Sequence, residues 1–250
     1  MNATAHWNTV TDIRLIVNAD DFGHSREVNA GILEAHDHGI VTSTSLMVRR
    51  RGANEAADAT RTRPALAVGL HVELGEWSYG REGWRVDGEV LASGMVEEVR
   101  GQVDRFRELV GREPTHLDSH QHVHRGEPAR SVLTALAGEL RVPLREADPR
   151  VRYLGGFYGQ TDTGEPWREG VTTDALVSLV RVLPRGTTEL GCHPAKGVPP
   201  GTSYGVERTL ELVALCDSRV REAIVEAGVA LISFAELRSP GASAPRPLAG

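Results

Sequence analysis

Short apolar runs rich in β-branched residues alternate with helix-patterned segments along nearly the whole chain, and this rhythm limits the fold more than any other feature. The strand-like runs are Ile13 to Asn18, Thr42 to Val48, Leu66 to Glu73, Thr115 to Ser119, Val142 to Leu144, Thr188 to Cys192 and Val229 to Ser233. Between them the spacing predicts helices over Ser25 to His38, Arg51 to Thr60, Met95 to Val110, Pro128 to Leu140, Thr173 to Leu183 and Val206 to Gly228. In the first of these, Val28, Ile32 and Ala35 form the apolar stripe, Ser25 is the expected N-cap and Gly39 the expected stop. Strict alternation implies parallel strands covered by helices, and strands with few polar breaks suit a sheet buried on both faces. Seven such strands in 250 residues predict an α/β barrel, closed or nearly so, as a single domain over 12–238. Residues 1–11 read as a polar tail, and 239–250, rich in Pro, Ala and Gly, as a disordered one. One segment breaks the rhythm: Gly75 to Gly94 contains Trp84-Arg85-Val86-Asp87-Gly88-Glu89-Val90, in which Asp-Gly predicts the turn of a β-hairpin on the face where the strands end.

Composition excludes several roles. A formal net charge of -6 argues against nucleic acid and membrane surfaces as partners, which call for a basic patch. The basic cluster Arg49-Arg50-Arg51 falls where a strand should meet a loop and reads as a solvated turn. Two cysteines, Cys192 and Cys216, make no disulfide framework and have no CxxC partner, so the expected location is the cytoplasm. Neither an apolar leader in Met1 to Thr11 nor a run long enough to cross a bilayer is present in the sequence.

In parallel α/β folds the C-terminal strand ends carry the active site. Four of those ends are polar in the same chemical sense: Asp20-Asp21 in Asn18-Ala19-Asp20-Asp21-Phe22-Gly23, His71 in Val68-Gly69-Leu70-His71, the run Asp118-Ser119-His120-Gln121-His122-Val123-His124, and His193 in Cys192-His193-Pro194. Paired acids at a strand end allow one to hold a metal while the other handles a proton, although a turn with an Asp cap reads equally well on those residues alone. His116, Asp118, His120, His122 and His124 share parity, yet an extended run of that length spans about 26 Å, longer than a typical strand. The strand therefore ends partway, and one or two of these histidines reach a common ion. Asp118 is placed to orient an imidazole from behind, and His122 and His124 to line the pocket without ligation. Asp with two His leaves open positions on a zinc-like ion, a pattern that fits an amidase, a phosphoesterase or a deaminase.

The runs Leu15 to Gly23, Gly39 to Val48 and Pro114 to His124, with Val68-Gly69-Leu70-His71 and Cys192-His193-Pro194-Ala195, resemble the YdjC/ChbG carbohydrate deacetylases in order from about Ile13 to Leu237. The resemblance implies a distorted (β/α) barrel related to polysaccharide deacetylases, a divalent metal (Zn2+ or Mg2+), a small N-acetylated carbohydrate such as a chitooligosaccharide as substrate, and a homodimer. Carried over by position, it implies Asp21, His71 and His120 as metal ligands, Asp20 as general base and His193 as acid. The segment between His71 and Met95 is short here and departs from better characterised members. Trp77, Tyr79 and Trp84 on it, with Phe157 and Tyr158 beyond Gly155-Gly156, offer faces to a pyranose or pack the hairpin onto the barrel. Arg145 is the remaining substrate-binding candidate, or else the partner of a site carboxylate. Two other functions stay open. A metal phosphoesterase lacks a glycine-rich phosphate loop here, and a catalytically silent sugar-binding protein would leave the acid, base and ligand candidates without a task.

Overall fold

The computed structural model describes residues 12–80, 83–87, 92–200, 202 and 204–237, with the backbone alone for 77–80 and 83–87. The expected tails and the side chains of Trp77, Tyr79 and Trp84 lie outside that description. The strands are β1 (Ile13–Phe22), β2 (Ser43–Leu46), β3 (Ala67–Val72), β4 (Glu76–Gly80), β5 (Gly83–Asp87), β6 (Leu117–Ser119), β7 (Val151–Leu154), β8 (Gly186–Cys192) and β9 (Ala230–Leu231). The helices are α1 (Arg26–Asp37), α2 (Ala53–Thr60), α3 (Met95–Val110), α4 (Ala129–Leu140), α5 (Thr173–Arg181), α6 (Val206–Cys216) and α7 (Ser218–Glu226). Seven parallel strands form one sheet in the order β6-β3-β2-β1-β8-β7, with β9 also against β1.

β1 is the axis of the sheet because Leu15, Ile16 and Val17 have no exposed surface and can serve a strand covered on both sides. The core beneath the helices joins Val28, Ile32 and Ala35 of α1 to Val68 and Leu70 of β3 and Phe106 of α3. Burial of such side chains contributes about 1.5–3 kcal/mol each, which is the main term holding the layers together. Ser25 caps α1 as expected, its Oγ accepting from Val28 N at 3.4 Å. Gly31 is required for packing: a Cβ there would stand 2.4 Å from Ala195 Cα, in the loop that carries His193. Among the described residues no helix is long and apolar enough to cross a membrane.

The seven-stranded distorted α/β barrel is the expected fold, with β6 and β7 at the two ends of its strand order. Three other expectations need correction. The expected strand Val142 to Leu144 reduces to a single bridge from Leu144 to Leu117. Pro143 sits beside that bridge and has no N–H to extend a ladder. β7 takes the vacant place in the count, a strand the sequence hid because Arg152 breaks its apolar run. The hairpin exists, but its two strands reverse between Gly80 and Gly83, and Asp87 pairs with Glu76 at its open end. Finally, Val206 to Gly228 is two helices: Asp217 is extended and its side chain accepts from Arg219 N, capping α7 and ending α6.

Candidate active site

Adjacent strand residues point to opposite faces, so Asp20 and Asp21 should not share a pocket. They do because β1 slips register against β2 between Ala19 and Phe22, and Asp21 adopts φ 67°, turning its side chain back toward the strand ends. Gly23 completes the turn at φ 92°, where a Cβ would lie 2.8 Å from Met47 O. Both carboxylates border a cavity of about 1310 Å³ that His71, His120 and His193 also line.

Asp21 Oδ1 lies 3.3 Å from His71 Nε2 and 3.1 Å from His120 Nδ1. Parallel pairing sets His71 beside Asp118, and His71 Nδ1 lies 2.8 Å from Asp118 Oδ1, which leaves Nε2 for the cavity. β6 ends at Ser119, and His120 opens a tight turn in which Gln121 and His122 hold φ 53° and 54°. His120 Nε2 lies 3.2 Å from Glu76 Oε1, so its other nitrogen faces Asp21. Each imidazole is thus fixed by a carboxylate on its far side, the arrangement that sets the tautomer of a metal-binding histidine. One oxygen and two nitrogens within 4.8 Å of one another fit a divalent ion, and the donor set suits zinc better than magnesium.

Asp20, His71 and Asp118 also converge, but a cation already holds that centre. Arg145 Nη1 and Nη2 donate to the two oxygens of Asp20 at 2.6 and 2.7 Å, Nη2 lies 3.0 Å from Asp118 Oδ2, and Nε donates to Glu189 Oε1 at 2.8 Å. Its side chain has no exposed surface, which corrects the expectation that it reaches substrate and supports the carboxylate reading. Burial pushes the Asp20 carboxyl up, and the guanidinium beside it outweighs that, holding it well below the usual carboxylate range. Burial likewise raises the Glu189 carboxyl, here to about 7 despite Arg145.

His193 stands across from Asp20, with Nε2 3.7 Å from Asp20 Oδ2. Burial pulls its pKa down to about 4 against the attraction of Asp20 and Asp21, so the imidazole is neutral at pH 7. Its backbone N–H donates to Glu211 Oε2 at 2.5 Å, and the Tyr204 hydroxyl donates to Glu211 Oε1. Tyr158 stacks on Tyr204 at 4.8 Å and meets His193 edge-on at 5.4 Å, whereas Phe157 borders the cavity as a core residue only 1% exposed. His122 and His124 lie on the turn beyond His120, with His122 Nε2 3.3 Å from the Tyr153 hydroxyl.

Several groups escaped sequence reasoning. Arg208 Nη2 donates to Asp21 Oδ2 at 2.5 Å from the first turn of α6, where no motif marks it. Arg50 lies in the expected turn between exposed Arg49 and Arg51, but its side chain is engaged: it donates to Glu73 at 2.5 Å and to Glu76 at 2.7 Å, which links it to His120. Glu211 and Glu76 had no motif to mark them.

Burial pushes the Glu211 carboxyl up to about 8, against the His193 N–H and Tyr204 bonds that lower it. The folded chain therefore holds a proton that the unfolded chain releases above about 4.5, the ordinary value. This contribution to stability is complete below that value and is lost as pH rises toward 8, at up to about 1.4 kcal/mol per pH unit. Glu211→Gln should itself lack that slope, so its stability difference from wild type in urea unfolding should change with pH between 5 and 8 by up to about 1.4 kcal/mol per pH unit. An unchanged slope would place the proton elsewhere.

Comparison with known proteins places the chain in a family. A carbohydrate deacetylase of Geobacillus stearothermophilus is 36% identical over 249 residues, covering 88% of this chain and 96% of the relative. A chitooligosaccharide deacetylase of Serratia marcescens is 35% identical, covering 89% and 98%. Among solved structures, a protein of Enterococcus faecalis V583 provisionally named for cellobiose-phosphate cleavage superposes with TM-score 0.76 at 26% identity, covering 91% of this chain and 100% of that one. A family 4 carbohydrate esterase from Streptomyces lividans shares the fold at TM-score 0.53 and 12% identity, over 88% and 91% of the two chains. The profile of the family described as YdjC-like protein matches residues 14–226, and the chain belongs to that family.

Proposed function

We propose that this chain is a metal-dependent hydrolase that removes the acetyl group from an N-acetylated sugar or small oligosaccharide, diacetylchitobiose being the type substrate. The carrying observation is the convergence of Asp21, His71 and His120 beside the facing pair Asp20 and His193. The names of the relatives support the reaction class, and a cavity of about 1310 Å³ has room for a disaccharide. Asp21, His71 and His120 would hold the ion, which supplies Lewis-acid polarisation of the acetamide carbonyl.

The chain's own groups then manage the protons. Asp20, oriented by Arg145, takes a proton from the attacking water. A carboxyl so strongly favoured as its anion returns that proton readily, and His193 is the next acceptor. His193 delivers it to the nitrogen as the C–N bond breaks, so the products are the free amine and acetate. Tyr158 and Tyr204 wall the His193 side and offer the ring contact expected of a sugar site. Two free cysteines support a reducing cytoplasm, and the homodimer implied by the resemblance is open to sedimentation analysis.

Acetate release by the metal-loaded protein across diacetylchitobiose and N-acetylglucosaminyl conjugates tests the substrate class. Release from at least one is expected. No release, with turnover of an aryl phosphate, would favour a phosphoesterase; equal binding of acetylated and deacetylated sugar without turnover would favour a silent binding protein.

A further inference from the structure

A second group of donors meets just beyond His120 and takes no part in the chemistry above. His122 and His124 lie on the same turn, Glu146 follows Arg145, and one donor atom from each lies within 4.8 Å of the others. His124 is 4% exposed, its Nδ1 is 2.6 Å from Ser119 Oγ, and its buried Nε2 has no hydrogen-bond partner among the described residues. That nitrogen is 3.6 Å from Glu146 Oε2. His122 repeats the pattern: Nε2 is near the Tyr153 hydroxyl and the buried Nδ1 has no partner among the described residues. Leaving a buried polar atom unpaired costs about 1–3 kcal/mol, so two such nitrogens in a group that a carboxylate completes call for a third party. Each ring is also tied through its other nitrogen, as ligating imidazoles are.

The backbone holds the cluster under strain on both sides. His122 has φ 54° and Glu146 φ 60°, left-handed conformations that cost a non-glycine residue about 1 kcal/mol or more and persist where the surroundings enforce them. Arg125 fixes Glu146 from outside, Nε donating at 2.6 Å and Nη2 at 2.8 Å. A cavity of about 100 Å³ beside His124 and Glu146 leaves space for water.

We propose that His122, His124 and Glu146 form a second divalent-metal site of the zinc class, separate from Asp21, His71 and His120. Two imidazole nitrogens and one carboxylate oxygen are a zinc-type set with a position left for water, and a poor set for magnesium. Arg125, Arg130 and Arg145 place positive charge nearby, so this site fills after the first. Because the turn also carries His120, an ion here pins the element that presents a ligand to the first site.

Zinc titration of the chelator-stripped chain against a chromophoric competitor tests this. Wild type should take up two ions in two separable steps. H122A/H124A should keep only the tighter step, and D21N/H71A only the weaker. The milder E146Q, which leaves both rings in place, should weaken the second step by about tenfold or more. A single step in wild type, or two unchanged steps in H122A/H124A and E146Q, would overturn the proposal. The count needs no substrate: two ions on a protein that releases no acetate would end the deacetylase reading and leave this one standing.

Discussion

Arg145→Met should lower stability by about 3–5 kcal/mol, the largest single-residue effect expected in this chain. Arg145 is fully buried and is the cation shared by Asp20, Asp118 and Glu189, so its removal strands carboxylates that water cannot reach. Methionine, unbranched and apolar, fills the part of the volume taken by the arginine stem, so most of the loss is electrostatic. At this chain length the midpoint of thermal unfolding should fall by about 10 °C. Asp20 adds a sign that can be checked: its carboxyl is depressed in the fold, so its contribution is present above the ordinary value of 3.8 and is lost as pH falls below it. In Arg145→Met that acid-side loss should shrink. Arg145→Lys keeps one charge without the fork and should recover part of the stability. A variant within about 1 kcal/mol of wild type would show that the three acids share their protons without needing the guanidinium.

Asp20→Asn should lower acetate release by about 10²–10⁴-fold while preserving both fold and bound metal. The amide keeps the shape of the carboxylate, and Arg145 retains Asp118 and Glu189 as partners. Asp20 is not among the three donors that meet at Asp21, so the ion count at that site should not change. His71→Ala and His120→Ala should do the reverse, losing the ion first and the activity with it. Metal loss in Asp20→Asn with retention in His71→Ala would invert the division of labour between the two acids.

Much of this arrangement was legible in the sequence, for identifiable reasons. Strands buried on both faces are near-continuous apolar runs, and β1 and β3 stood out accordingly. The polar ends of these strands, of β6 and of β8 marked Asp20, Asp21, His71, His120 and His193, which the fold brings to one cavity. Parity correctly demanded that the strand before His120 stop early, and it stops at Ser119. Parity could not foresee how the neighbours Asp20 and Asp21 come to face one pocket, because that depends on a register slip and a left-handed residue. Nor could local pattern reveal Arg208, Glu211 and Arg50, whose task is set by packing across the fold: α6 delivers Arg208 to Asp21, 187 residues away in sequence, and Glu211 to the loop of His193, and β4 brings Glu76 to Arg50. Arg145 shows the limit most clearly. Its strand fails at Pro143, yet the one surviving bridge is enough to send its side chain into the middle of the sheet.

The most direct test is acetate and amine production from diacetylchitobiose by the purified chain, measured before chelation, after chelation and after reloading with zinc. Equal amounts of acetate and free amine that disappear on chelation and return on reloading are the predicted result. Turnover that persists after complete removal of metal, or no acetate from the fully loaded protein, would contradict it.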